Sequence, residues 1–294
     1  MSSPTSFNNR LRDVQTARQS LLCVGLDSDF RRIPPHLGTS ADGVLAFNRA
    51  IIGATSDLVC AYKLNLAFYE VLGSRGWDAL KATLAMVPKS VLTIGDGKRG
   101  DIGNTAEQYA AALFDELSFD AITVNPLMGY DAVEPFLRKP DRGVFLLTLT
   151  SNPGSRDFQR LRVGTKHLYE RIAVRARSWN DNDNIGLVVG ATRPAELRRI
   201  RKLVTTMPML IPGIGAQGGD LQSAVRSGCN SDGWGGVINV SRSVLYAASG
   251  EGFADAARIE ATNLRDAIER IRQEGGEPPR RGKGRSGARL TLRR

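Results

Sequence analysis

The chain has 294 residues, 41% of them apolar and 24% charged, with a formal net charge of +10. These are the proportions of an ordinary globular protein with apolar material enough for a buried core, which excludes the disordered and membrane classes. No apolar run approaches the roughly 18 residues that a spanning helix needs, and Met1–Arg10 is polar, without the apolar stretch of a secretory leader, so a cytoplasmic protein with no membrane partner is expected.

Cys23, Cys60 and Cys229 are far apart and show no CxxC spacing, and His36 and His167 are the only histidines. A zinc site, a disulfide framework and a Ser/His/Asp triad therefore all lack material, and Cys23 and Cys60 read as core residues. Catalysis must use lysines and carboxylates. From Gly275 onward seven arginines and lysines stand against Glu277 alone, a net +6 that leaves only +4 for the rest of the chain. That stretch is rich in Gly, Pro and Arg and too poor in apolar residues to pack. Residues 275–294 are thus expected to form a disordered basic tail and residues 1–274 a single domain. An incidental solubilising extension and an arm for nucleic acid or an acidic partner both fit the tail's composition, and the intact set of Lys63, Asp96, Lys98 and Asp101 makes nucleic-acid binding an unexpected main function.

In chain order, a helix is expected over Ser6–Arg18, placed to close the floor of the sheet that follows. Short β-branched or apolar runs then recur at Leu21–Leu26, Leu58–Lys63, Val91–Asp96, Ala121–Asn125, Val144–Thr150, Ile185–Val189, Met209–Pro212 and Gly236–Val240. Between them lie segments of helical periodicity such as Ala41–Thr55, Trp77–Met86, Asn104–Leu117, Lys166–Trp179, Pro194–Thr205 and Asp220–Gly228, and Phe253–Gln273 makes the last helix. Asn104 followed by Glu107 predicts a capping box at the start of the helix after the third strand. The stretch Asn152–Thr165, long and glycine-containing, suits a mobile active-site loop. Strand followed by helix, eight times, predicts an α/β fold of the (β/α)8 TIM-barrel type in one domain, with a doubly wound sheet carrying two extra units as the alternative.

In such a barrel the active site sits at the carboxyl ends of the strands, so the polar residues that end each apolar run are the candidates. The first run ends in Asp27, the second in Lys63, the third in Asp96 and Lys98, and the fifth in Thr150 and Ser151. Alternation along a strand puts Leu92, Ile94, Asp96 and Lys98 on one face if the extended geometry persists that far. Charges at a packed rim are costly to desolvate alone, so Lys63, Asp96, Lys98 and Asp101 are expected to form one array of alternating sign, either a catalytic centre or an ion-pair network that steadies the rim. A second candidate is the run Pro212-Gly213-Ile214-Gly215-Ala216-Gln217-Gly218-Gly219-Asp220, which opens a helix. Its glycines let backbone N–H groups approach an anion, the helix N-terminus adds a favourable dipole, and Arg242 follows the eighth strand. This reads as a phosphate cup, with a flexible glycine turn beside a surface arginine as the plainer reading.

The stretches Val24-Gly25-Leu26-Asp27, Ala61-Tyr62-Lys63, Asp96-Gly97-Lys98-Arg99-Gly100-Asp101-Ile102-Gly103-Asn104-Thr105, Ser151-Asn152-Pro153-Gly154, Pro212–Asp220 and Ser241-Arg242-Ser243 resemble those of the orotidine 5'-phosphate decarboxylases, in particular their longer bacterial subgroup. The likeness runs from about Phe7 to Arg272. It implies loss of carbon dioxide from orotidine monophosphate to give uridine monophosphate, the last step of pyrimidine nucleotide synthesis, with no metal or organic cofactor. It further implies that Lys98 protonates pyrimidine carbon six, and that Asp96 crowds the substrate carboxylate and, with Lys63, holds Lys98. Asp27 and Lys63 would bind ribose hydroxyls, Ser151 the pyrimidine amide edge, Pro212 the same pocket, and Gln217, Gly218, Gly219 and Arg242 the phosphate. Asp101, Ile102 and Thr105 would reach into a neighbouring subunit's site, which makes a homodimer the expected partner state. The Asp-x-Lys-x-x-Asp pattern is shared with metal-dependent phosphosugar decarboxylases and aldolases; Lys63, where those relatives carry a carboxylate, separates this chain from them. Gly97, where alanine is frequent, is a departure that deletes no functional group.

Overall fold

A computed structural model of the protein describes residues 5–215 and 219–275. Gln217 and Gly218 of the expected phosphate cup, and all but the first residue of the basic tail, lie outside the described residues. Eight parallel strands close into a barrel: β1 (Leu22–Gly25), β2 (Ala61–Asn65), β3 (Leu92–Arg99), β4 (Ala121–Val124), β5 (Gly143–Leu149), β6 (Ile185–Val189), β7 (Met209–Pro212) and β8 (Gly236–Val240). Each strand pairs with its sequence neighbours, and β1 pairs with both β2 (Cys23 beside Ala61) and β8 (Leu22 beside Ile238), which completes the ring. The doubly wound alternative is thereby excluded, because an open sheet would leave β1 or β8 with a free edge.

Alternation sorts the side chains into two cores. Cys23, Ala61, Leu92, Ile94, Ala121, Phe145, Val188, Leu210 and Val237 point into the barrel, where Phe7 and Leu11 join them from below. The out-facing set, including Val24, Tyr62, Leu64, Ile122, Val124, Leu146 and Val189, packs under the helices. The first helix, Phe7–Arg18, is the expected floor: Ser6 caps its N-terminus by accepting from the Asn9 N–H, and the Phe7 ring meets Phe145 edge-on at 6.0 Å between centroids. Gly143 is glycine for this reason, since a Cβ there would sit 2.4 Å from the Phe7 ring. Buried Gln15 ties the floor to the wall through its amide, donating to Gly236 O and accepting from Gly235 N–H. Cys23 and Cys60 are fully buried thiols, as expected of core residues, and burial pushes Cys60 up to about 12.

The helices Ala41–Thr55, Pro194–Leu203 and Phe253–Gly275 match the periodic segments, whereas the helix Tyr130–Leu137 and the short turns Ala67–Glu70 and Arg242–Leu245 carry too few turns for periodicity to announce them. The expected capping box is absent. The helix after β3 starts at Gly103 with Ile102 as an N-cap that makes no side-chain bond, because Asp101 turns its carboxylate onto the Ile102 N–H at 2.8 Å and Gly103 takes φ +55°. Glu107 instead pairs with Arg138 at 2.8 Å. The 152–165 stretch holds a 3-10 turn at Pro153–Arg156 and leads into a two-residue hairpin, Arg162–Val163 with Lys166–His167. Gln159 anchors it to the end of β5 by accepting from the Thr150 N–H at 2.7 Å. Among the described residues no helix is long and apolar enough to cross a membrane.

Candidate active site

The in-facing ladder changes character toward the carboxyl ends of the strands. Above the apolar layer Cys23 is followed by Asp27, Ala61 by Lys63 and Asn65, Ile94 by Asp96, Ala121 by Thr123, and Val237 by Asn239 and Ser241. All of these polar residues line a cavity of about 320 Å³ that Leu147, Val188 and Leu210 floor. That is a volume within the range of small-molecule sites.

Lys63 is the pivot of the charges. It is 4% exposed, and its Nζ stands 3.1 Å from Asp27 Oδ1 and 3.0 Å from Asp96 Oδ2. Burial by itself would strip the proton, but the two carboxylates outweigh it and hold Lys63 well above the usual lysine range. Asp96 is equally enclosed; burial opposes its charge, yet Lys63 and Lys98 together keep its carboxyl well below the usual carboxylate range. Lys98 Nζ donates to Asp96 Oδ1 at 2.6 Å while nearly half of its side chain remains open to the cavity. The alternating array of this chain is therefore Asp27, Lys63, Asp96, Lys98. Asp101, expected as the fourth member, makes no ion pair with either lysine and stands beyond the cavity wall, as do Ile102, 53% exposed, and Thr105. Arg99 of the same charged segment turns away to Glu70 at 2.5 Å.

The extended geometry anticipated for β3 stops short of Lys98. Gly95 pairs with Ile122 and Arg99 with Val124, and the register shifts between them. Within this bulge Lys98 takes φ +47°, a left-handed conformation unusual for a residue with a Cβ. Gly97 lies at a close approach, where a Cβ would come 2.8 Å from Leu66 Cδ1. Thr123 was not among the sequence candidates; the available signal was a polar residue on the inward alternation of β4, two positions after Ala121.

On the opposite wall Pro212, Gly213, Ile214, Ser241 and Arg242 face the cavity. Gly213 has φ +100°, its carbonyl accepts the Gly219 N–H at 3.0 Å, and Ile214 and Gly219 form an isolated bridge, so Gly219 lies against Gly213 and Ile214. Asp220 caps the following helix by accepting from the Ser223 N–H at 2.8 Å, which ties up one of its N-terminal N–H groups. Arg242 is exposed and has no carboxylate within ion-pair distance among the described residues, and the buried Ser241 hydroxyl lacks a partner. Ser151 lines the same cavity at the end of β5, where Gly190 leaves room for it; a Cβ at 190 would lie 2.7 Å from the Ser151 nitrogen.

Fold and site together define a (β/α)8-barrel enzyme with a charged cavity at the carboxyl ends of its strands. More narrowly, the chain belongs to the orotidine 5'-phosphate decarboxylase / HUMPS family, whose family model matches residues 20–257. A curated orotidine 5'-phosphate decarboxylase of Dehalococcoides mccartyi is 50% identical over 271 residues, covering 91% of this chain and 98% of the relative. One of Herpetosiphon aurantiacus is 52% identical over 254 residues, 86% of this chain and 94% of the relative. The solved structure of Leishmania donovani OMP decarboxylase superposes with a TM-score of 0.82 at 41% identity, covering 92% of this chain and all of that one. That of Leishmania donovani UMP synthase gives 0.83 at 43% identity, with the same 92% of this chain against 57% of the longer protein.

Proposed function

We propose that this cavity decarboxylates orotidine 5'-monophosphate to uridine 5'-monophosphate, the closing step of pyrimidine nucleotide synthesis. The observation that carries the reading is Asp96, a fully charged carboxylate clamped by Lys63 and Lys98 in the cavity wall. A substrate carboxylate brought beside it meets a negative charge that Lys63 and Lys98 hold in the ionised form, and leaves as carbon dioxide. The bonding electron pair stays on carbon six, where the Lys98 ammonium stabilises it and delivers the proton that completes the product. The name shared by relatives about 50% identical over most of this chain supports the same substrate.

In this reading Asp27 and Lys63 take ribose hydroxyls, Ser151 the pyrimidine amide edge beside Pro212, and Arg242 the phosphate together with Gln217, Gly218 and Gly219. Binding energy gained at the remote phosphate serves the chemical step by orienting the ring over Lys98. Arg242→Ala is expected to raise KM about 10- to 100-fold with a smaller change in kcat, the scale of a lost charge-assisted bond; steady-state kinetics measures the split. The metal-dependent alternative gains no support, since the Lys63 ammonium stands between Asp27 and Asp96 where a divalent cation would need those carboxylates. Loss of orotate absorbance with purified protein, unchanged by a chelator, is the deciding assay; no uridine monophosphate formed would end the proposal.

Asp101, Ile102 and Thr105, which do not line their own chain's cavity, complete the site of a second copy in a homodimer working in the cytosol. Mixing inactive Lys98→Ala and Asp101→Ala chains is then expected to restore up to about a quarter of wild-type activity, because half the dimers are mixed and each holds one intact site. No recovery after subunit exchange would return Asp101 to a role within one chain.

A further inference from the structure

Asp96, Gly97 and Lys98 are flanked by two regular pairings, Gly95 with Ile122 and Arg99 with Val124, so three residues of β3 stand opposite one residue of β4, Thr123. The backbone of a single residue cannot serve three, and an unpaired buried N–H is costly. The side chain of Thr123 makes up the difference. Its Oγ1 accepts the Lys98 N–H at 3.0 Å and donates to Asp96 Oδ1 at 2.9 Å, the same oxygen that receives Lys98 Nζ at 2.6 Å. One hydroxyl has one proton to give and lone pairs to receive, so both bonds form at once. Beyond the bulge the regular ladder resumes, with the Asn125 N–H donating to Arg99 O at 2.8 Å.

We propose that Thr123 is a positioning residue for decarboxylation: its hydroxyl holds the bulge that turns Lys98 into the left-handed conformation and locks Asp96 and Lys98 in register on the cavity wall. The proposal rests on the decarboxylase reading given above. Thr123 is 1% exposed, and its partners are the backbone of one charged residue and the carboxylate of the other. Lys98 carries four rotatable bonds and has Asp96 as its ion-pair partner, so the direction in which its backbone launches it decides where Nζ comes to rest.

Thr123→Val keeps the shape and deletes both bonds, Thr123→Ala deletes them with less bulk, and Thr123→Ser keeps them. Kinetics on orotidine 5'-monophosphate, binding of uridine 5'-monophosphate and thermal unfolding are measured for all three. Valine is expected to lower kcat about 100-fold, the scale that an ångström of misplacement costs a reacting group. KM and product affinity should stay within about threefold, because the ribose and phosphate contacts are untouched, while serine stays within about fivefold of wild-type kcat. If valine does not fold, alanine carries the same expectation. Valine or alanine turning over like wild type, or serine faring no better than valine while both bind product, overturns the proposal alone. Absence of turnover in the wild-type protein overturns the decarboxylase reading and this proposal with it.

Discussion

Lys98→Ala is expected to lower turnover by about four orders of magnitude, the upper range for a proton donor that also stabilises developing charge, and to leave uridine monophosphate binding within tenfold. The loss is chemical rather than structural. Lys98 is half exposed, makes one ion pair and lies in a bulge that Thr123 and the flanking pairs hold without its amine, so the barrel has no reason to collapse when the amine is removed. Asp96 keeps Lys63 at 3.0 Å and the Thr123 hydroxyl at 2.9 Å, so it stays charged. The carbanion then forms beside the Asp96 carboxylate without the Lys98 ammonium that would stabilise it and supply its proton. Product carries no carboxylate at carbon six, which is why its affinity is the proper control. Turnover within a factor of about ten of wild type would remove Lys98 from the chemistry, since a positioned acid accounts for more than that.

Lys63→Ala is expected to damage both stability and catalysis. Removing one partner of a buried ion pair costs about 3–5 kcal/mol, because the charge left behind has lost its counter-ion. Here Asp27 loses its ion-pair partner and Asp96 loses one of two, keeping Lys98. A fall in Tm of roughly 5–15 °C follows for a domain of this size. The pH dependence supplies a second signature. In the wild type Asp96 lies well below the usual aspartate value, so it contributes stability that is fully present above about pH 4 and is lost as the solution becomes more acid. Lys63, raised above the usual lysine value, contributes stability at every pH below about 10 and loses it only in stronger base. Between those limits the gap between wild type and variant should be widest, and it should narrow on acidification as Asp96 in the variant takes up a proton. A gap that does not narrow as the pH falls from about 5 to about 2 would show that the array is not what holds the rim.

Much of the molecule can be read from the chain directly. All eight strands were legible within a few residues, because β-branched runs of four to eight residues bounded by helical periodicity have few other readings. Met209–Pro212 and Gly236–Val240 coincide with the expected ranges, while β2 sits two residues later than Lys63 as an endpoint suggests, since buried Leu58 and Val59 extend its apolar run backwards. Asp27, Lys63, Asp96 and Lys98 were equally legible, for each ends an apolar run at the barrel rim. Thr123 and the bulge were not, because a threonine inside a strand is ordinary and a register shift depends on the partner strand.

Local order along the chain was enough to specify eight strand–helix repeats, the inward face of each strand and the charges at its end, since period and composition act over a few residues. Closure of β1 onto β8, the exchange of Asp101 for Asp27 in the array and the left-handed turn at Lys98 all came from residues brought together across the barrel. Those contacts join positions far apart in the chain, and their energies exist only once packing has removed water from between them.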